Sequence, residues 1–321
     1  MTTYPARTPI RAPRTQLRGA FTALVTPFTA SGAIDEAAFG RLLDAQIAGG
    51  IAGLVPCGTT GESPTLSTDE HDRVIELTVA AAHAVGDPRP TVLAGTGTND
   101  TAATIAATRR AAELGADAAL VVAPYYNRPN QAMLIAHYTA VAVEGGLPIV
   151  VYNIPSRTGT NVEAATLLEL AAHPRIIGVK EASANLDQIA WICRERPAGF
   201  AVLCGDDAWT LPVLALGADG VVSVASNEVP AEMQALCTSA DDGDWTAARE
   251  MHERLLPLFR ANFTGAPSPA PVKAALATMG IIENHLRLPL LALDDAGVGF
   301  MADALREAGV LAPRALAASH A

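Results

Sequence analysis

The chain alternates short apolar runs with longer alanine-rich segments of helical spacing, and this order constrains its fold more than any other feature. Eight apolar runs bounded by Gly and Pro are typical of buried strands. They span residues 21–25, 53–56, 91–94, 118–123, 149–152, 176–180, 201–204 and 220–224. The segments between them predict helices at residues 35–49, 67–85, 100–115, 131–145, 163–173, 185–196 and 208–217, with start signals such as Asp35, Ser67 and Asp207.

Strict strand-then-helix alternation implies parallel strands joined by crossover helices. Because the runs are apolar almost throughout, we predict an α/β protein built as a closed (β/α)8 barrel. A doubly wound open sheet is the alternative, but its dinucleotide-binding signature GxGxxG is absent. The segment Gly95-Thr96-Gly97 is only a fragment of that signature, and loop geometry explains it better.

The strand pattern stops after residue 224. Helical segments at residues 230–240, 244–263, 270–280 and 299–308 then predict a C-terminal helical extension. We therefore divide the chain into a flexible N-terminal tail (1–18), the barrel (19–226) and a C-terminal helical region (227–321). The tail has four arginines, three prolines and no apolar stretch, so it is not a secretory signal; an organelle address is the alternative to a mobile tail.

The composition excludes several classes of function. A net charge of −11 argues against a nucleic acid or an anionic membrane as the main partner. No apolar run approaches the ~20 residues needed to cross a bilayer. The chain has no HExxH motif, and its cysteines are scattered without CxxC spacing, so we expect free thiols and no metal site. These features predict a soluble metabolic protein of the cytoplasm.

Lysine is almost absent, since only Lys180 and Lys273 among the 22 basic residues are lysines. A remaining lysine is therefore a candidate for a role that needs an amine able to lose its proton, which arginine cannot do. Lys180 closes the sixth apolar run, on the same face as Gly178 and Ile176. A lysine at a strand end commonly reaches solvent. On the inner face of a barrel it would instead enter an apolar cavity, where desolvation makes an amine nucleophilic near neutral pH.

Tyr152 stands at the tip of the fifth run, one strand–helix unit before Lys180. We therefore expect the two side chains on adjacent strands at similar height. In barrels of this kind the reactive groups lie at the carboxyl ends of the strands. A phenol there can pass protons to and from a carbinolamine and an imine on the lysine. The alternative is a tyrosine that only lines the barrel.

Three further strand ends carry polar residues. The loop Gly58-Thr59-Thr60-Gly61-Glu62-Ser63 predicts a tight turn whose N–H groups and hydroxyls suit a carboxylate, although an ordinary turn is the alternative. Arg157, in a loop bounded by Pro and Gly, could grip a second carboxylate, but most loop arginines are merely solvated. Asp206 and Asp207 look like a paired-carboxylate site, although helix capping by one of them is the better interpretation.

Together these segments resemble the dihydrodipicolinate synthase/N-acetylneuraminate lyase family of pyruvate-dependent aldolases and lyases. The resemblance runs from about Gly19 to Leu311, and the order, spacing and strand placement of the motifs all agree. The motifs are Gly58-Thr59-Thr60-Gly61-Glu62-Ser63, Pro124-Tyr125-Tyr126-Asn127, Tyr152-Asn153-Ile154-Pro155-Ser156-Arg157-Thr158-Gly159, Gly178-Val179-Lys180-Glu181-Ala182, Gly205-Asp206-Asp207 and Gly220-Val221-Val222-Ser223.

The resemblance implies catalysis through a Schiff base between Lys180 and pyruvate. Tyr152, Thr59 and Tyr126 would form a proton relay, in which Tyr126 comes from a neighbouring subunit. Because Tyr126 needs a neighbour to reach the site, the resemblance also implies a homotetramer. The lysine imine is itself the electron sink, so no metal or organic cofactor is expected.

The resemblance also assigns substrate-binding residues. Thr60 and the Val222 backbone would hold the pyruvate carboxylate, and Gly205 belongs to the same binding set. Arg157 would accept the carboxylate of L-aspartate 4-semialdehyde, and condensation would give 4-hydroxy-tetrahydrodipicolinate, in lysine and diaminopimelate biosynthesis. The sugar-acid lyases of the family usually lack this arginine, and a lyase acting on a 2-keto-3-deoxy sugar acid is the nearest alternative. A further alternative is a catalytically silent barrel that only binds ligands, but the presence of Lys180 argues against it.

The chain departs from the family at the site where lysine inhibits some members. Those members typically carry histidine and glutamate where this chain has Thr68 and Ala103, although His71 and Tyr125 are present. We therefore predict weak or no feedback inhibition by lysine. The stretch Pro267-Ser268-Pro269 also lacks the acidic residue often found just before it.

Overall fold

A computed structural model describes residues 17–312, in which eight parallel strands form a closed barrel in chain order. The strands are β1 (Gly19–Ala23), β2 (Gly53–Val55), β3 (Thr91–Gly95), β4 (Ala118–Val122), β5 (Ile149–Asn153), β6 (Ile176–Glu181), β7 (Ala201–Cys204) and β8 (Gly220–Ser223). The helices are α1 (Glu36–Ala48), α2 (Thr68–Ala84), α3 (Thr101–Glu113), α4 (Gln131–Glu144), α5 (Pro155–Thr158), α6 (Ala164–Ala171), α7 (Leu186–Glu195), α8 (Thr210–Ala215), α9 (Pro230–Asp242), α10 (Trp245–Ala261), α11 (Ala270–Thr278) and α12 (Asp295–Glu307).

The predicted (β/α)8 barrel with C-terminal helices is confirmed. Phe21 of β1 stands opposite Val222 of β8, and this parallel pairing of the first and last strands closes the barrel. An open sheet would instead leave both strands as unpaired edges. Each predicted run corresponds to one observed strand. The predicted starts of α1 and α2 are also confirmed, because Asp35 and Ser67 cap them and Ser67 forms a capping box with Glu70. The single-turn helix α5 was not predicted, since one turn carries no periodicity.

Two apolar layers form the core. One lies between the strands and the surrounding helices, and the other fills the barrel interior. Gly53 shows how closely the interior is filled, because a Cβ at this position would lie 2.1 Å from the ring of Phe21. Large interior side chains come from strands all round the barrel: Phe21, Val55, Leu93, Leu120, Val150, Tyr152, Leu203 and Val222.

The helix after β8 belongs to the barrel by its contacts, since α9 packs against β1 and α1. The remaining helices form the C-terminal layer, in which α10 packs on α9 and α12, and α11 packs on α12. The predicted division at residue 226 stays a prediction, and the contacts of α9 favour a division after residue 242.

The predicted N-terminal tail lies outside the described residues except at its last two positions. Leu17 is buried against the barrel interior, and Arg18 forms ion pairs with Asp219 and Asp241. These two positions are therefore part of the barrel. In residues 17–312 no helix is long and apolar enough to cross a membrane.

Candidate active site

Lys180 and Tyr152 lie side by side at the carboxyl ends of β6 and β5. They are register partners across the two strands, and the Lys180 Nζ lies 4.2 Å from the centre of the Tyr152 ring. Both side chains are buried, each with 5% exposure. The amine therefore faces an aromatic surface in a space largely closed to water, and the predicted adjacency of the two side chains is confirmed. The proton-transfer role of Tyr152 stays a prediction.

One residue further along the same strands, polar side chains hold the two strand ends together. The side-chain amide nitrogen of Asn153 donates to both oxygens of the buried Glu181 carboxylate, at 3.1 and 3.0 Å. Glu181 also accepts from the Ser183 N–H at 2.8 Å and from Gln188 at 3.2 Å. Burial raises the pKa of Glu181, and the donors around it act in the opposite direction. This network was not predicted from the sequence, because its members look like ordinary polar loop residues.

The loop after β2 forms the expected tight turn. Gly61 and Glu62 donate their N–H groups to the carbonyls of Gly58 and Thr59, both at 3.1 Å. Neither Thr59 nor Thr60 has a side-chain hydrogen-bond partner within residues 17–312, although Thr60 is buried with 5% exposure. Two threonine hydroxyls at a strand end are thus available to an anion that enters the barrel mouth.

The loop after β7 brings Gly205 close to β6. Its N–H donates to the Glu181 carbonyl at 2.8 Å, and a Cβ at this position would lie 2.6 Å from the Cβ of Ala182. A larger residue would therefore push apart the ends of β6 and β7, and with them Lys180. The predicted binding role of Gly205 stays a prediction, whereas its packing role follows from this contact.

Asp206 and Asp207 do not act as a pair. Asp206 caps the short 3₁₀ turn that precedes α8, accepting from the Ala208 N–H at 3.0 Å, so the capping interpretation is confirmed for Asp206. Burial raises the pKa of Asp206, and the N–H groups of Ala208 and Trp209 and the charge of Lys180 oppose this effect.

Asp207 points elsewhere, to the end of β8. It accepts from the N–H groups of Val224 and Ala225, at 3.0 and 2.9 Å, and burial raises its pKa to about 6. These bonds hold the strand end that carries Val222, which is itself buried. Asp207 is thus a structural anchor for the segment predicted to hold pyruvate.

Tyr126 and Arg157 lie on the outer surface of the barrel mouth. Tyr126 is 89% exposed and has a left-handed backbone conformation, with φ 73°. Arg157, in α5, is also exposed, and its guanidinium has no hydrogen-bond partner among the described residues. Within residues 17–312 no hydrogen bond joins the hydroxyls of Thr59, Tyr152 and Tyr126, so the relay stays a prediction.

A buried ion pair beneath the β2 loop was missed. Glu62 pairs with Lys273, and both side chains are fully buried. The available signals were the scarcity of lysine and the position of Glu62 inside the loop motif, but nothing in the spacing relates two residues so far apart in the chain.

Known proteins share the whole architecture. A model of the Dihydrodipicolinate synthetase family matches residues 16–308. The 4-hydroxy-tetrahydrodipicolinate synthase of Koribacter versatilis is 47% identical over 297 residues, which are 92% of this chain and 97% of that protein.

Two crystal structures are similar in fold as well as in sequence. The chloride-inhibited dihydrodipicolinate synthase of Acinetobacter baumannii complexed with pyruvate has a TM-score of 0.88 at 37% identity, covering 92% of this chain and 99% of that one. The enzyme of Cyanidioschyzon merolae with lysine bound also has a TM-score of 0.88, at 39% identity and with coverage of 92% and 100%. The chain therefore belongs to the dihydrodipicolinate synthetase family.

Proposed function

We propose that the chain is a 4-hydroxy-tetrahydrodipicolinate synthase, which condenses pyruvate with L-aspartate 4-semialdehyde for lysine and diaminopimelate biosynthesis. The observation that carries the proposal is the buried Lys180 amine 4.2 Å from the Tyr152 ring at the carboxyl ends of the strands. Membership of the family supports the choice of reaction. A barrel that only binds ligands would not need a nearly water-free amine beside a phenol.

The reaction begins at Lys180. Its neutral amine adds to the ketone of pyruvate, and the carbinolamine loses water to leave an imine. The Tyr152 hydroxyl carries the proton that the departing hydroxide takes up. The phenolate that Tyr152 then carries takes a proton from the pyruvate methyl group, and the electron pair moves into the imine to give an enamine.

The enamine carbon then forms a bond to the aldehyde carbon of the second substrate, whose oxygen takes up a proton. The substrate's own amine displaces Lys180 from the new imine, which closes the ring and frees the enzyme. Arg157, at the mouth, binds the carboxylate of the aldehyde, while Thr60 and the Val222 backbone hold that of pyruvate. The lysine imine serves as the electron sink for these steps.

Tyr126 supports assembly with further copies of the chain. A tyrosine with 89% exposure in a strained backbone conformation suits a contact with another subunit better than contact with water. We infer a homotetramer in which Tyr126 of one copy completes the proton relay of another. We also infer that the enzyme is cytoplasmic, where its metabolite substrates are found. Light scattering of the purified chain measures the assembly directly.

Borohydride trapping tests the proposed chemistry. The protein is incubated with pyruvate, reduced with borohydride and digested, and the peptides are mapped by mass spectrometry. We expect the mass of one reduced pyruvyl group on Lys180 and none on Lys273. An unmodified Lys180 peptide, or a Lys180→Arg variant with wild-type turnover, contradicts the proposal.

A further inference from the structure

Lys273 is the second of the two lysines, and protein surrounds its amine completely. The side chain is fully buried, and its Nζ lies 2.5 Å from Oε1 of Glu62, an ion pair rather than an aligned hydrogen bond. The amine also donates to the His285 carbonyl at 3.0 Å and lies 4.2 Å from the centre of the Phe28 ring. Burial lowers the pKa of Lys273 to about 8, and the charge of Glu62 acts in the opposite direction.

A second ion pair flanks the first. Arg287 pairs with Glu70, and its guanidinium lies 4.2 Å from the same Phe28 ring. The Arg287 backbone N–H donates to Oε2 of Glu62 at 3.1 Å. Two cations therefore balance two anions around one aromatic ring. Removing a single partner of the buried pair leaves an uncompensated charge, which is more disruptive than removing both.

Glu62 is also the residue that closes the turn carrying Thr59 and Thr60. It has a left-handed backbone conformation, with φ 54°, and its N–H donates to the Thr59 carbonyl at 3.1 Å. Its own carbonyl accepts from the N–H and the hydroxyl of Thr65, at 2.9 and 3.0 Å. A left-handed conformation is costly for a residue with a side chain and persists only where its surroundings hold it. The anchored side chain of Glu62 supplies that hold.

We propose that the Glu62–Lys273 ion pair positions the Thr59–Thr60 turn for the carboxylate of pyruvate, so that Lys273 is a positioning residue for the substrate site. The inference rests on the proposed pyruvate chemistry at Lys180. Donors that are already in place bind an anion more tightly than donors that must be ordered on binding. The C-terminal helical layer thus acts on the barrel mouth through the buried Lys273–Glu62 contact between α11 and the β2 loop, beside which Arg287 also binds Glu62.

The test measures the pyruvate concentration that half-saturates borohydride trapping at Lys180, which needs no aldehyde. The variants are Lys273→Met, Glu62→Gln and the double variant. We expect each single variant to raise the half-saturating concentration about 10- to 100-fold, since small displacements of binding groups have effects of this size. At saturating pyruvate the trapped fraction stays at the wild-type level, because Lys180 itself is intact. The double variant is expected to be no worse than the more affected single variant, because it leaves no unpaired charge.

Arg89→Met is the matched control. Arg89 pairs with Asp117 through two bonds of 2.7 Å at the opposite, amino-terminal end of the barrel. Its loss lowers the stability without touching the mouth, so half-saturation should stay at the wild-type value. If Lys273→Met does not fold, Glu62→Asp carries the same test, since it keeps both charges but withdraws the carboxylate by one methylene.

The outcomes separate the two proposals. Variants that unfold at lower temperature yet half-saturate at the wild-type pyruvate concentration overturn the positioning role and leave the ion pair purely structural. Wild-type protein that forms no adduct at Lys180 overturns the proposed function itself. Weaker pyruvate trapping in the ion-pair variants, with Arg89→Met unchanged, supports both.

Discussion

Glu181 accepts two hydrogen bonds from Asn153, at 3.1 and 3.0 Å, directly beyond the Tyr152–Lys180 pair on the same two strands. Alternation turns Glu181 and Asn153 away from the barrel interior, so that the polar contact lies behind the reactive pair. A misplaced strand end would move the Lys180 amine with it. The network behind the barrel wall therefore determines the geometry inside it.

Glu181→Ala tests this relationship. The substitution removes the buried carboxylate that accepts from Asn153, Ser183 and Gln188, so we expect the free energy of unfolding to fall by about 2–4 kcal/mol. We also expect slower trapping of pyruvate at Lys180. Urea denaturation measures the first effect and timed borohydride quenching the second. Glu250→Ala, at an exposed position of α10, is the control and should change the stability by less than about 0.5 kcal/mol.

Tyr152→Phe separates the hydroxyl from the ring. The ring that packs against Lys180 is retained, so we expect normal stability, while turnover falls by about 10²- to 10⁴-fold because the proton carrier is lost. Steady-state kinetics give the result. Tyr138→Phe removes the hydroxyl of another buried tyrosine, on α4 and outside the barrel interior, and should leave turnover nearly unchanged. Equal turnover in the two variants would rule out the proton-carrying role.

Arg157→Ala tests the assignment of the aldehyde carboxylate. Hydrogen bonds to charged groups contribute roughly 1.5–3 kcal/mol, so we expect the KM for aspartate semialdehyde to rise about 10- to 100-fold. Pyruvate trapping should not change, because the two carboxylates bind at separate places. The control is Arg249→Ala, since Arg249 is an exposed arginine on α10. A variant that loses pyruvate binding instead would show that Arg157 serves the first substrate.

His137 should make the free energy of unfolding decrease as the pH is lowered. Burial lowers its pKa from 6.5 to about 4, and its only side-chain partner among the described residues is the Thr101 hydroxyl, 2.9 Å from Nδ1. Below pH 6.5 the unfolded chain binds a proton that the folded chain does not, so this contribution is complete above pH 6.5 and is lost between pH 6.5 and 4. The loss amounts to about 3 kcal/mol.

The measurement is the free energy of unfolding in urea across that pH range. Carboxylates also titrate in the lower part of this pH range. The comparison is therefore with His137→Gln, which lacks the imidazole. We expect the wild type to have the steeper dependence, and parallel curves would contradict the prediction.

Lysine should inhibit the enzyme weakly or not at all. Thr68 and Ala103 are exposed at the starts of α2 and α3 and offer neither an imidazole nor a carboxylate to a bound amino acid. We expect turnover to stay within twofold of its starting value, as a rough bound, in millimolar lysine. The double variant Thr68→His with Ala103→Glu is the comparison and should be the more sensitive of the two. Strong inhibition of the unaltered chain would refute the prediction.

Much of the candidate site could be predicted because strand ends have a defined place in a barrel. Lys180 and Tyr152 each close an apolar run, and one strand–helix unit separates them, so adjacency follows from topology alone. Asp207 shows the limit of this reasoning. Its neighbour Asp206 caps the next turn, whereas Asp207 reaches β8, and two adjacent carboxylates with different partners look alike in a sequence.

The sequence by itself determined the order of strands and helices, the closed barrel and the family, because periodicity and local motifs are properties of neighbouring residues. Only the tertiary structure decided which distant residues meet. Glu62 and Lys273 lie in the second loop and in a C-terminal helix, and no local pattern relates them. Their contact exists because burying a charge is unfavourable unless an opposite charge accompanies it, and only the packed chain selects that partner.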